Sequence, residues 1–385
     1  MINKCIDPFF NKQPKIEFAE ELKTPLHTAS PFHSKMKKLG KNGLYVNALK
    51  LAYNFPDDEK LLETAYNDFN RFLSSANITL GNNGIVFRTL KEESFSAEEF
   101  ELLVSSDSII LKSFDTEGIR RGLVFIEDEM IRSGAAFLKF GKTRKKPFIK
   151  KRISRCYFTP PSHSSGEKLE SELADDTDYY PEKYLNRLAP DGTNGLWIGV
   201  NFRDLLKSNI IPEYGVDSQK RLSKLNRITE KCRRYGIGVY ALVIEPASGY
   251  NNPAFENHRE LHGGKSSWGD FHLFCPSKPQ FELYIKEAFD NLFRAVPHLA
   301  GIIDITCGEA LSSCASSTEL TCPECVKKFK TLGRAFAAVE SIIANALKEA
   351  APHAEFISWS YAQRAWTNED VIESCQHRDK AVIHM

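Results

Sequence analysis

Excess charge of either sign is missing from this 385-residue chain: 51 lysines and arginines stand against 50 aspartates and glutamates, for a formal net charge of +1. That balance offers no global attraction to nucleic acid or an anionic membrane, so neither is expected as a partner. Long apolar runs are also absent. No segment approaches the ~20 residues of a membrane span, and Met1 to Phe10 holds no apolar stretch of signal-peptide length. A soluble, cytoplasmic protein is the expectation. The nine cysteines are an odd set scattered through apolar stretches as well as one cluster, which suits a reducing compartment better than a disulfide framework. What is plentiful is ordinary globular material, 42% hydrophobic and 26% charged, which excludes disorder, collagen and coiled coil and suffices for a large core.

At roughly 150 residues per domain the length suggests two domains. The composition breaks between Gly141 and Lys151, where Lys142, Thr143, Arg144, Lys145, Lys146 and Pro147 read as too charged and turn-prone for core. A boundary there gives domains of residues 1–145 and 146–385. The first reads as a small α/β unit. It has a strand at Gly43 to Ala52 and a helix from about Asp57 to Ser75 with Leu61, Ala65, Phe69 and Phe72 on one face. Short strands are expected at Ile85 to Leu90, Phe100 to Val104 and Ser108 to Leu111, then a helix carrying Ile119, Leu123, Ile126 and Met130 behind the N-cap candidates Asp115 and Thr116.

The second domain alternates apolar strands with amphipathic helices, the pattern of parallel βα units. Strands are read at Ile153 to Thr159, Gly195 to Phe202, Ile237 to Glu245, Leu299 to Cys307, Ala354 to Ser360 and Ala381 to Met385. A doubly wound sheet and a TIM barrel both satisfy this. The long polar insertions all follow strands, as barrel catalytic loops do, and favour a (β/α)8-type barrel. Only six of eight strands are visible, so the barrel is expected to be incomplete, truncated after its sixth strand.

Chemistry in such a barrel sits where strands end. Glu245 ends the third strand and Glu309 the fourth. Two carboxylates on adjacent strand ends are what glycosidic hydrolysis needs: one protonates the leaving oxygen, the other stabilises or attacks the anomeric carbon. Solvated loop carboxylates are the rival reading. Asn201, ending the second strand, is a candidate hydroxyl ligand or a helix cap. The long connection from Ser248 to Pro276 suits a substrate lid, with His262 as its candidate contact. Cys307, Cys314, Cys322 and Cys325, the last two in Cys-Pro-Glu-Cys, form a candidate structural zinc site beside Glu309, with a redox pair or unliganded core thiols as the alternatives. No cofactor is otherwise required, and the oligomeric state is open.

The order of elements then carries a resemblance. A small domain containing Asp115-Thr116-Glu117-Gly118-Ile119-Arg120-Arg121-Gly122, a linker into a strand with Arg155, and a barrel with Glu309 after its fourth strand resembles the family 20 β-N-acetylhexosaminidases. It also looks like the α-glucuronidases and similar barrel hydrolases with a zincin-like N-terminal domain. The resemblance implies an exo-acting, hexosaminidase-like glycoside hydrolase with Glu309 as general acid. It further implies a sugar-binding arginine on the first strand, for which Arg155 is preferred to Arg152, and aromatic walls from Trp359 and Tyr361. Where that family has an aspartate before the acid, this chain has Gly308. A non-catalytic carbohydrate-binding protein on a decayed barrel is the alternative. In either case the expected partner is a carbohydrate.

Overall fold

The computed structural model describes residues 21–27, 30–32, 41–156, 159, 172–246, 248–250, 252–308 and 311–385. It divides into two compact units, the first made of Met1–Phe158, Tyr180–Gly195 and Lys231–Ile237, the second of Thr159–Tyr179, Leu196–Glu230 and Gly238–Met385. The first unit therefore runs on past residue 145 to Phe158 and takes in two further segments.

In the first unit, β1 (Gly43–Tyr45) and β2 (Ala48–Tyr53) occupy the region read as one strand. The chain breaks there because Val46 turns its backbone N–H to the carbonyl of Ala136, leaving β2 free to enter a different sheet. Helix α1 (Glu63–Ser75) starts later than expected. Asp57 instead closes a preceding turn, its carboxylate accepting from the N–H groups of Leu61 and Leu62 at 2.8 Å each, and Lys60 sits at φ 56°, which no helix allows. There follow β3 (Thr79–Leu80), β4 (Ile85–Lys91), β5 (Phe100–Val104), β6 (Ser108–Ser113), α2 (Thr116–Ser133), β7 (Phe137–Lys139) and β8 (Gly141–Lys145). Asp115 caps α2 as its spacing predicts, accepting from Gly118 N–H at 2.8 Å, and Gly134 ends the helix in the left-handed conformation.

The main sheet runs β3-β2-β4-β6-β5-β8, and β1 pairs with β7 apart from it. The charged run at Lys142 to Lys145 is thus an edge strand, antiparallel to β5, with Lys142 paired to Glu101 and Arg144 to Glu99 at 2.8 Å each. Cationic side chains suit an edge, where they discourage pairing with another chain. The core gathers Phe69, Phe72 and Leu73 of α1 with Ile119, Leu123, Ile126 and Met130 of α2 against Leu49, Phe87 and Leu111. β9 (Ile153–Arg155) and α3 (Glu182–Leu188) complete the unit.

The second unit contains all but the first residue of β10 (Gly195–Gly199), α4 (Phe202–Leu205), α5 (Ser218–Arg233) as far as Glu230, β11 (Gly238–Val243), α6 (Pro253–Asn257), β12 (His262–Lys265), β13 (His272–Phe274), α7 (Pro279–Ala295) and β14 (Gly301–Asp304). After them come α8 (Pro323–Phe329), α9 (Leu332–Ala350), β15 (Glu355–Ser358), α10 (Asn368–His377) and β16 (Ile383–His384). Five strands lie side by side in the order β16-β15-β14-β11-β10, and the pairings of β14 with β11 and β15, and of β15 with β16, are parallel. Each new strand joins on the same side as the one before. A doubly wound sheet reverses direction at a switch point, so this monotonic order is barrel-like winding. Helices α7 and α9 bury the faces their periodicity marks, including Phe281, Ile285 and Leu292, and Phe336, Ile343 and Leu347. Among the described residues, no helix is long and apolar enough to cross a membrane.

Candidate functional site

Parallel strands end together, and the carboxyl ends of β11, β14 and β15 bring a polar set onto an apolar base. β11 and β14 are in register from Tyr240 with Gly301 to Val243 with Asp304, so Glu245, just past β11, lies beside Asp304. The backbone N–H of Glu245 donates to Asp304 Oδ1 at 3.0 Å. Glu245 is itself only 3% exposed, and both its oxygens are engaged: Oε1 accepts from the N–H of Phe202 at 2.8 Å, and Oε2 accepts from the Tyr284 hydroxyl at 3.2 Å. Burial pushes the Asp304 carboxyl well above the usual carboxylate range, and the neighbouring Glu245 and Glu340 add to the shift. Burial therefore favours the protonated form of Asp304 beneath the rim. Glu340, on α9, is fully buried and raised to about 7 by desolvation, with His384 Nε2 at 3.4 Å.

Sequence reasoning overlooked Asp304, Glu340 and Tyr284. The signal for the first was present, because an aspartate inside the apolar strand Gly301–Asp304 must be bonded or neutral when buried. Glu340 sits among the apolar positions of α9 and could have been flagged in the same way.

The other candidates fall as follows. Glu309 lies outside the described residues. Gly308 before it is described, and a Cβ there would come within 2.5 Å of Ile305 Cγ2 and 2.7 Å of the Tyr361 ring. The aspartate of the hexosaminidase pattern has no room at that position while Tyr361 stands where it does. Trp359 follows β15, its N–H donating to the Asp304 carbonyl at 2.8 Å, and its ring meets that of Tyr361 edge to face at a 5.7 Å centroid distance. Tyr361 thus lies against Gly308, just before Glu309, with Trp359 packed on it. Asn201 occupies the N-cap position of α4 without a side-chain cap bond. Arg155 ends β9 in the first unit. Arg152, also there, bonds Glu98 and the carbonyls of Gly192 and Ile149, which gives that cation a structural occupation.

The connection expected to be a lid folds as α6 and the β12–β13 hairpin. His262 stacks between Phe255 and His272, with its ring centroid 4.2 Å from that of His272, and burial lowers its pKa. Glu256 holds His272 by both the backbone N–H at 2.8 Å and Nδ1 at 2.9 Å. His262 is thus a packing residue of the hairpin as much as a group facing outward.

The cysteine reading needs one correction. Cys314, Cys322 and Cys325 do converge, but their fourth member is Cys275, at the end of the hairpin, and not Cys307. The Cys307 thiol turns to the carbonyl of Ser316 at 3.6 Å, and burial pushes its pKa up to about 12. Cys307 is close to Cys314 in sequence, but the strand it follows carries its side chain elsewhere. Cys275 arrives by tertiary folding, because β13 pairs with β12 beside Cys314.

No protein-family model matches this chain, and no curated protein matches it in sequence. Solved structures do. A GH138 enzyme targeting pectin rhamnogalacturonan II superposes with a TM-score of 0.53 at 14% identity, covering 81% of this chain and 38% of that one. The β-N-acetylhexosaminidase of Bacteroides fragilis gives 0.52 at 14% identity, covering 94% and 69%. The Flavobacterium johnsoniae chitobiase gives 0.53 at 13%, covering 94% and 55%. The chain spans 38% to 69% of the lengths of these proteins, and at such identities the likeness is one of fold. The chain is thus similar in fold to these enzymes.

Proposed function

We propose that the protein is an exo-acting glycoside hydrolase in which Glu309 is the general acid. What carries the reading is the combination, at the ends of β14 and β15, of a chain segment leading directly to Glu309 with Tyr361 against Gly308 and Trp359 packed on Tyr361. Aromatic faces pack against the apolar faces of sugar rings, and a glutamate at a barrel strand end can protonate a glycosidic oxygen. The likeness in fold to enzymes that cleave such bonds supports the same class of substrate. Glu245, expected as second carboxylate or sugar ligand, is buried and bonded on both oxygens, and in this reading it is a positioning residue that ties the ends of β11 and β14 and not a group that meets the sugar. Asn201, His262 and Arg155 are the remaining candidate sugar contacts. With Gly308 in place of an aspartate, a route through a substrate acetamido group has no orienting carboxylate at that position.

The test is a panel of aryl glycosides of differing sugar and anomer, run on the protein and on Glu309→Gln. Turnover of one sugar class that falls roughly 10²- to 10⁴-fold in the variant, with unchanged thermal unfolding, is expected of a lost proton donor. Sugar binding without turnover, indifferent to the substitution, would instead mark a carbohydrate-binding protein on a decayed barrel.

A further inference from the structure

We infer that Cys275, Cys314, Cys322 and Cys325 form a structural zinc site. All four are buried, and their sulfurs lie within 4.8 Å of one another. Spacing separates the possible chemistries. Zinc–thiolate bonds of about 2.3 Å in a tetrahedron put sulfurs about 3.8 Å apart, whereas a disulfide needs about 2.05 Å. Cys275 stands 3.8 Å from Cys322 and 3.6 Å from Cys325. That is the edge length of a ligand tetrahedron.

The surroundings are built for thiolates. Two of the sulfurs face donors, the Gly264 N–H at 3.2 Å for Cys314 and the Ser277 hydroxyl at 3.3 Å for Cys325, while the Cys275 thiol lies 3.8 Å from Glu324 Oε2. Such donors spread the negative charge that four thiolates bring to one divalent ion. Gly263 is part of the cradle, since a Cβ there would lie 2.3 Å from the Cys314 sulfur. Cys322-Pro-Glu-Cys325 opens α8 with Pro323 at its first turn, which presents both sulfurs on one side.

The local core also calls for a clip. Around the hairpin it consists of Phe271, Leu273, Leu311 and these four cysteines, a small apolar set for a segment made of a hairpin, a turn and a two-turn helix. Metal binding supplies folding free energy where burial is meagre. On binding, four S–H bonds give way to four Zn–S bonds and the protons pass to solvent, with no change of oxidation state. The ion then ties β13, the turn at Cys314 and α8 together. This site does not depend on the glycosidase reading.

The experiment uses the full chain, purified from zinc-replete medium and desalted, with metal measured by mass spectrometry. Roughly one zinc per chain is expected, lost in Cys275→Ser and retained in Cys307→Ser. Less than roughly a tenth of an equivalent in the unsubstituted protein, or iron in its place, overturns the assignment, as does loss of zinc in Cys307→Ser alone. Because Cys275→Ser can fail to fold, cobalt exchange into the unsubstituted protein gives a second reading. Tetrahedral d–d bands with a thiolate charge-transfer band support the site, and their absence overturns it. An intact denatured mass short of the hydrogens of two disulfides also overturns it.

Discussion

Around Glu245 a single hydroxyl does measurable work. The Tyr284 side chain is 2% exposed and donates to Glu245 Oε2 at 3.2 Å, while the Phe202 N–H occupies the other oxygen. Tyr284→Phe keeps the ring packed against Phe274 and removes only the donor, leaving a buried acceptor short of a partner. A loss of about 1–2 kcal/mol is expected in urea unfolding, with the midpoint lowered and the denaturant slope unchanged. At this scale the sequence was partly legible. Glu245 could be picked out because it ends an apolar strand, yet nothing local said that a tyrosine 39 residues on would bind it. Cys275 shows the same limit: the Cys-x-x-Cys spacing announced two ligands, and sequence proximity then pointed to Cys307, where only the hairpin's pairing could point to Cys275.

Elements read well where their periodicity was strong and poorly where a turn intervened. The strands of the parallel sheet fall within the ranges their apolar runs predict, because apolar spacing survives into burial unchanged. Helix α1 and strand β1 were misjudged at their edges, where Asp57 and Val46 satisfy their surroundings by bonds that no periodicity encodes. Helix α2 adds a packing constraint. Gly118 and Gly122, one turn apart, let it lie close on β6: a Cβ at Gly118 would meet Ser113 Oγ at 1.9 Å and the Glu99 carbonyl at 2.5 Å, and one at Gly122 would meet Leu111 at 2.2 Å. In an isolated helix, alanine would improve propensity by up to ~1 kcal/mol. Here overpacking wins, so Gly118→Ala should destabilise the protein by about 1–3 kcal/mol, measured as a lower midpoint of thermal or urea unfolding.

For the molecule as a whole, buried acids set the dependence of stability on pH. Glu340 is raised from its ordinary 4.5 to about 7 by burial; Ser358 and Arg378 act against the shift, and His384, itself lowered to about 4, faces it at 3.4 Å. The folded state thus holds this proton more tightly than the unfolded chain does. The stabilisation is complete below about pH 4.5 and is lost as pH rises through about 7. Glu340→Gln removes that slope, so the difference in unfolding free energy between variant and parent should shift in the variant's favour by up to roughly 3 kcal/mol between pH 4 and 8. Glu127 in the first unit is raised to about 7 as well, beside a His27 raised to about 9, so parent and variant are compared at each pH and the shared contribution cancels. A pH-independent difference would mean that Glu340 stays in one protonation state throughout.

Apolar spacing already dictated a mixed α/β chain with a parallel barrel-type sheet, because burial of periodic apolar faces is a local property that sequence carries directly. Folding alone decided the rest. It chose the winding order of the strands, the first unit's recruitment of residues 180–195 and 231–237, the buried Asp304 under Glu245, and Cys275 in place of Cys307. Each of these depends on groups far apart in the chain meeting in a medium that excludes water, and the free energy of such a meeting belongs to the pair and its surroundings, not to either residue.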